Sequence, residues 1–350
     1  ANLEYEATRR PQEGQFRWSD GERVRDIRVT LIPEAPRNES AHLRVLTRPE
    51  DWCHLEHLGP FPEQLAAVRK VMQWPHGLVL IAGPSSSGKT TFTKRLSIQL
   101  LVRGISPFPL ELDNYFVDRD LTPRDENGEF DFENIMALDR ERLSQDIKLL
   151  INGQEVQLPR YDFLTGKSEP GDIVQLRDGE VVIIEGIHGL NPDLLPSFPA
   201  ENSFKIYASA LTQLNLDRHN RVSTTDTRLI RRIVRDHRER GYSPQITISR
   251  WESVRRGEKR YIFPYQENAD VMFNSALAYE LSALKPFAEP LLYQIEPSSV
   301  EYVESRCLLA LLRWFVPLDA TQVPSNSILR EFIGGSSLKG FTVWRQKANQ

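Results

Sequence analysis

The sequence predicts an α/β fold, a parallel sheet covered by helices on both faces. From residue 77 onward, short apolar runs alternate with helix-period segments. The runs are apolar at nearly every position rather than at every second one, as in strands buried on both faces. A third observation gives the fold a ligand. "LVLIAGPSSSGKTT", residues 78–91, is an apolar strand, then a glycine- and serine-rich loop, then the start of a helix.

Residues 1–76 read as a small β-rich N-terminal unit. Asp20-Gly21 is a turn signal, and Ile27, Val29 and Leu31 then alternate with polar residues. A short helix is expected at 63–72, with Leu65, Val68 and Met72 on one face. The core of the chain, 77–285, takes strands at 77–83, 108–113, 180–186, 203–209 and 269–275. Helices are expected at 91–103, 138–151, 225–240 and 279–284. The third of these carries Leu229, Ile230, Ile233 and Val234 as its apolar stripe. Residues 286–350 are expected to form a helical C-terminal appendix, built on "VEYVESRCLLALLRWF" and "SNSILREFIGG".

Bulk properties narrow the function. The 350 residues carry 44 Lys+Arg against 48 Asp+Glu, a net charge of -4, so nothing global draws the chain to nucleic acid or an anionic membrane. No apolar run approaches the roughly 20 residues that span a bilayer. The polar first residues show no signal-peptide core. Cys53 and Cys307 stand far apart with no metal-ligand spacing, which fits a cytoplasmic protein with reduced thiols.

The loop Gly83-Pro84-Ser85-Ser86-Ser87-Gly88-Lys89-Thr90 fits G-x-x-x-x-G-K-[ST], the phosphate loop of P-loop NTPases. Its glycines let the loop's backbone N–H groups turn toward phosphate oxygens, and the helix adds its positive end. Lys89 reaches the β- and γ-phosphates, and the Thr90 hydroxyl can ligate Mg²⁺. Glu185, at the tip of "VVIIEG", is the second candidate anchor for the metal. ATP and Mg²⁺ are the expected cofactors.

No N-K-x-D sequence is present to read a guanine base, and the D-x-x-G match at 125–128 lies in a polar loop with no apolar strand before it. A small-molecule kinase needs a base beside the acceptor hydroxyl, and Asp113, ending "PLELD", is the candidate. It also needs positive charge over the transferring phosphoryl group. Arg228, Arg232 and Arg235 in "TRLIRRIVRDHRERG" share one helix face, and residues 235–260 could close as a lid. A solvated basic face or an RNA-binding patch is the alternative for the same arginines.

The phosphate loop, "LDNYF", "FDFENIMALD", "LPRYDFLTGKSEP", "VVIIEGIHGL" and "TRLIRRIVRDHRERG" follow one another as in uridine kinases. Over about 77–285 the chain resembles the phosphoribulokinase/uridine kinase family, closest to a bacterial uridine kinase-like subgroup. The resemblance implies a cytoplasmic kinase that moves the γ-phosphate of ATP to a primary hydroxyl of a nucleoside-like small molecule. It also allows a homo-oligomer, tetramers being common among related uridine kinases. In it Asp113 is the catalytic aspartate beside the metal, and Thr90 and Glu185 belong to the Mg²⁺ site. Gly83, Ser85, Ser86, Ser87, Gly88, Lys89, Thr90 and Thr91 hold the nucleotide. Arg232, Arg235 and Arg240 lie near the phosphates and lid. Tyr115 and Phe116 stand near the nucleoside, and Phe132, Glu133, Tyr161 and Phe163 line the acceptor. The family's base-reading His, Arg and Gln fall near Gly166, Tyr242 and Ser249 here. A site without those partners discriminates a pyrimidine poorly. A non-nucleoside sugar or phosphosugar kinase, and a nucleotide-binding regulatory or RNA-associated protein, therefore stay open.

Overall fold

The structure, a computed structural model, describes residues 12–19, 24–35, 38–46, 77–126, 128–177, 179–196 and 203–341. The chain divides into two compact units, Ala1–Leu65 and Ala66–Gln350.

In the first unit, β1 (Gln12–Ser19), β2 (Val24–Ala35) and β3 (Asn38–Leu46) form an antiparallel sheet in the order β1-β2-β3. Val29 pairs with Gly14 on one side and Leu43 on the other, and its side chain is buried. The Asp20-Gly21 turn and the helix expected at 63–72 lie outside the described residues.

The second unit is built on five parallel strands. These are β4 (Leu78–Ala82), β5 (Pro107–Glu111), β8 (Val181–Glu185), β9 (Ser203–Ser209) and β10 (Val271–Asn274), in the order β10-β9-β4-β8-β5. Side chains alternate between faces along each strand. Leu78, Leu80, Phe108, Leu110, Val182 and Ile184 point to one side and pack with Leu143, Ile147 and Leu150 of α2 (Arg140–Ile151). Val79, Ile81, Ile183, Phe204 and Ile206 point to the other and pack with Leu96 and Leu100 of α1 (Lys89–Val102). Burial on both sides is why these strands read as unbroken apolar runs.

Two elements are absent from the sequence reading. β6 (Val156–Asp162) and β7 (Lys167–Val174) form an antiparallel hairpin containing Pro159 and Pro170. Its Val156, Tyr161 and Val174 join the α2-side core. The other is α4 (Pro244–Tyr261), which begins with Ser243 accepting from the Ile246 N–H and Pro244 in the first turn.

A third core lies under α3 (Thr224–Arg240), whose Leu229, Ile230, Ile233 and Val234 are all buried. Ile248, Trp251 and Val254 of α4 join it, so residues 235–260 are the end of α3 and most of a packed helix. α5 (Glu280–Leu292) runs past the expected 279–284, through Pro286 and Pro290. Proline in a helix interior removes a hydrogen bond. Here burial of Ala288, Leu291 and Leu292 in the same core offsets that loss. α6 (Tyr302–Leu312) adds Leu308, Leu309 and Leu312, and the four-residue α7 (Arg330–Ile333) adds Phe332 and Ile333.

Candidate active site

Ligands in open parallel sheets bind beyond the carboxyl ends of the strands, and the predicted phosphate loop leaves the sheet at that end of β4. Gly83 has φ +153°, and a Cβ there would lie 1.9 Å from the Ala208 carbonyl oxygen of neighbouring β9. Only glycine lets the chain leave the sheet at this point. Gly88 turns back into α1 with φ +84°. Between them Ser86 holds φ +61°, a strained setting for a serine of the kind found at ligand clamps.

The loop is braced from α3 and α4. Glu258 accepts from the Ser85 N–H (3.0 Å) and pairs with Arg228, whose Nε donates to the Ser85 carbonyl (2.9 Å). Arg231 Nη1 reaches the Ser86 carbonyl at 3.3 Å, and Arg231 is ion-paired with Glu280. Arg232 Nη1 donates to Ser85 Oγ at 2.9 Å. The face expected to bear free positive charge is thus divided. Arg228 is a buried strut, and Arg232 reaches the loop's hydroxyl.

Lys89 Nζ donates to the Pro84 carbonyl across the loop at 3.2 Å, and Thr90 Oγ1 donates to Glu185 Oε2 at 3.0 Å. β5 and β8 pair with Glu111 opposite Glu185, and Asp113 sits in the turn just past Glu111. Burial first, then Glu111, Asp113 and Glu331, push the Glu185 carboxyl well above the ordinary carboxylate range, while Lys89 opposes this. The arrangement fits the groups a phosphate loop would hold. The buried Ser86 and Ser87 hydroxyls have no hydrogen-bond partner among the described residues, and the glycines leave the cradle open. Crowded carboxylates beside a threonine hydroxyl are hard oxygen donors for a divalent cation. Among the described residues no three His, Cys, Asp or Glu side chains form a metal cage. Mg²⁺ in phosphoryl-transfer sites takes one or two protein ligands plus phosphate oxygens.

Beside the loop opens a cleft of about 730 Å³. Its walls bring together Ser85, Asp113, Phe132, Glu133, Tyr161, Phe163, Arg232 and Arg240, eight of the residues named from sequence. Phe116, Tyr161 and Phe163 form one aromatic wall, with ring centroids 5.1–6.4 Å apart. Arg240 lies over the Phe163 ring at 5.1 Å.

Tyr115 is not among the lining residues, which corrects its expected acceptor contact. It is buried, and its hydroxyl donates to Asp146 of α2 at 2.9 Å. Residue 115 lies in a 3-10 turn, and this register carries its ring into the core while the next residue, Phe116, faces the cleft. Arg235 also lies outside the lining, bonded to Asp236 at 2.8 and 3.0 Å.

Asp236 is missing from the sequence reading. It is buried, accepts from Arg232 at 3.2 Å and from Arg235, and lies 3.8 Å from Arg240. Burial opposes its ionisation, but Arg235, Arg232 and Arg240 outweigh this and hold its carboxyl below the ordinary range. It therefore aims three arginines at once. The one signal for it in sequence is its place, four residues from both Arg232 and Arg240. Arg119 is a second such residue: its guanidinium fills the space beside Gly166, where a Cβ would meet it at 2.6 Å.

Burial pushes the Glu133 carboxyl up to about 7; Arg232 opposes this, while Glu258 and Asp131 add to it. Between the ordinary carboxylate range and about 7, the unfolded chain loses this proton while the folded chain keeps it. Stability should therefore fall as pH rises through that window, by no more than about 3 kcal/mol. Thermal unfolding across the window should show the loss in the parent protein and a flatter profile in Glu133→Gln.

The family model "Phosphoribulokinase / Uridine kinase family" matches residues 78–282. A second model, "Type II/IV secretion system protein", matches residues 1–104 and overlaps the first at the strand, phosphate loop and first helix. The uridine kinase of Staphylococcus haemolyticus is 30% identical over 196 residues, covering 56% of this chain and 86% of that protein. Among solved structures, the "Possible Uridine Kinase" of Bacillus stearothermophilus is 22% identical with a TM-score of 0.39, covering 61% of this chain and all of that one. The D-glycerate 3-kinase of Cryptococcus neoformans is 16% identical with a TM-score of 0.28, covering 79% of this chain and 88% of that one. With a strand–loop–helix phosphate cradle, a five-stranded parallel sheet and the family model matched from β4 into α5, the chain belongs to the phosphoribulokinase/uridine kinase family.

Proposed function

We propose that the chain moves the γ-phosphoryl group of ATP to a primary hydroxyl of a nucleoside or related small metabolite. One observation supports this most: Ser85 of the phosphate loop and Asp113 share a single cleft with Phe132, Glu133, Tyr161 and Phe163. A donor held in the loop and an acceptor held on the aromatic wall would meet at Asp113.

In this reading Asp113 accepts the hydroxyl proton of the acceptor as the hydroxyl attacks. Lys89 exchanges the Pro84 carbonyl for phosphate oxygens, and the N–H groups of the loop and of Thr91 hold the remainder of the chain. Arg232 and Arg240, both held by Asp236, face charge developing on the transferring group, and Arg235 braces Asp236 from outside the cleft. Phe132, Tyr161 and Phe163 stack an acceptor ring, and Glu133 takes its hydroxyls. Mg²⁺, held by Thr90 and Glu185 near Asp113, would neutralise phosphate charge when bound.

A second reading, a sugar or phosphosugar acceptor, is favoured by Arg119 beside Gly166, with Tyr242 and Ser249 in the cleft wall where base-reading groups would fall. Purified protein with ATP, Mg²⁺ and a panel of nucleosides and sugars separates these. Acceptor-dependent ADP release with a nucleoside supports the first reading, and release with sugars alone supports the second. Salt-sensitive RNA binding without acceptor-dependent turnover overturns both.

A further inference from the structure

The carboxylate of Glu331, on α7, accepts a hydrogen bond from the Thr91 N–H at 3.0 Å. Thr91 lies in the first turn of α1, and its N–H is one of the donors that the helix itself leaves unused. Gly88, which caps this helix, offers no side chain for the purpose. Glu331 thus puts a negative group where a phosphate loop receives a negative group.

The contact is built in. Ile328 packs so closely on Gly88 that a Cβ there would meet Ile328 Cγ2 at 2.5 Å. Arg238 of α3 donates to the carbonyls of Glu331 (2.8 Å) and Phe332 (3.1 Å). Arg330 donates to the carbonyls of Ala320 (2.7 Å) and Gly334 (3.2 Å). Phe332 is fully buried, with Arg231 over its ring. The backbone of α7 is therefore pinned from several directions, and the Glu331 side chain is what remains to move. Its charge is felt by Glu111, Glu185 and Arg235, which places it among the site's own charges.

We propose that Glu331 is a resident stand-in for phosphate: it occupies an anion position of the loop in the free protein and must swing away for a nucleotide to bind. One N–H cannot serve the carboxylate and a phosphate oxygen together, and the two anions repel at short range. The chain then meets ATP with its binding-competent state only partly populated, and the apparent affinity falls by that fraction. The inference rests on the loop being the nucleotide site.

Calorimetric titration of the full chain with ATP tests it, comparing the parent with Glu331→Ala. If the docked state holds roughly nine-tenths of the free protein, the variant should bind ATP roughly tenfold more tightly. A mere helix cap would leave affinity unchanged or weaker and lower only the melting temperature. Glu331→Met, of similar size and without an oxygen acceptor for the Thr91 N–H, carries the same comparison if the alanine variant does not fold. ATP binding by the parent with no gain in either variant overturns this inference alone. No binding by parent or variants overturns the nucleotide reading and the inference with it.

Discussion

Asp113→Asn should bind ATP as the parent does and transfer phosphate about 10²–10⁴-fold more slowly, the range set by losing one general base. Asparagine keeps the size and polarity of the side chain and loses its capacity to take a proton. The backbone around residue 113 is fixed by neighbours that the substitution does not touch. Glu111 pairs with Glu185 across the strands, and the Tyr115 hydroxyl is tied to Asp146. The loop's own contacts, from Lys89 to Pro84 and from Ser85 to Glu258, do not involve Asp113. ATP affinity should therefore hold while acceptor-dependent ADP release collapses. Single-turnover kinetics beside an ATP titration read the two separately, and a variant that turns over normally removes Asp113 from the role of base.

Arg231→Met should destabilise the fold by about 3–5 kcal/mol, the usual cost of breaking a buried pair from one side. Arg231 is 0% exposed and Glu280 1% exposed. Burial already raises the Glu280 carboxyl, and Arg231 is the main group opposing this. Without the guanidinium, a buried carboxylate must stay unpaired or take up a proton. The Ser275 carbonyl and hydroxyl and the Ser86 carbonyl lose a donor at the same time. Because Ser86 belongs to the phosphate loop, ATP binding should weaken as well. Replacing both partners, Arg231→Met with Glu280→Leu, should recover much of the stability, since two apolar groups leave no charge uncompensated. Urea unfolding measures each step, and a single-variant loss below about 1 kcal/mol contradicts the assignment of the pair as a buried strut.

Strands β4, β8 and β9 are legible in sequence because burial on both faces writes them as continuous apolar runs. The β6–β7 hairpin is not legible. Its prolines argue against a strand, and one side of it faces solvent, so only Val156, Tyr161 and Val174 carry a core signal. α5 outlasts its expected end because tertiary burial overrides what Pro286 and Pro290 say locally. In the site, the phosphate loop is readable because its chemistry is contiguous. Its bracing is not, since Glu258 and Glu331 reach the loop from 173 and 240 residues away. Tyr115 shows a finer limit: helix and strand periods do not say which of two adjacent aromatics where a 3-10 turn ends faces a cleft.

The core beneath α3 bears on how this chain can be divided. The family match ends at residue 282, in the first turn of α5. The core it leaves behind draws on Leu308, Leu309 and Leu312 from α6 and on Phe332 from α7. Each such side chain contributes about 1.5–3 kcal/mol by leaving water. A chain cut at the end of the match would carry every residue of the proposed phosphoryl-transfer chemistry and would still expose Leu229, Ile233 and Leu281. The matched segment is not a transplantable module: whoever grafts, trims or fuses it must carry the last helices along.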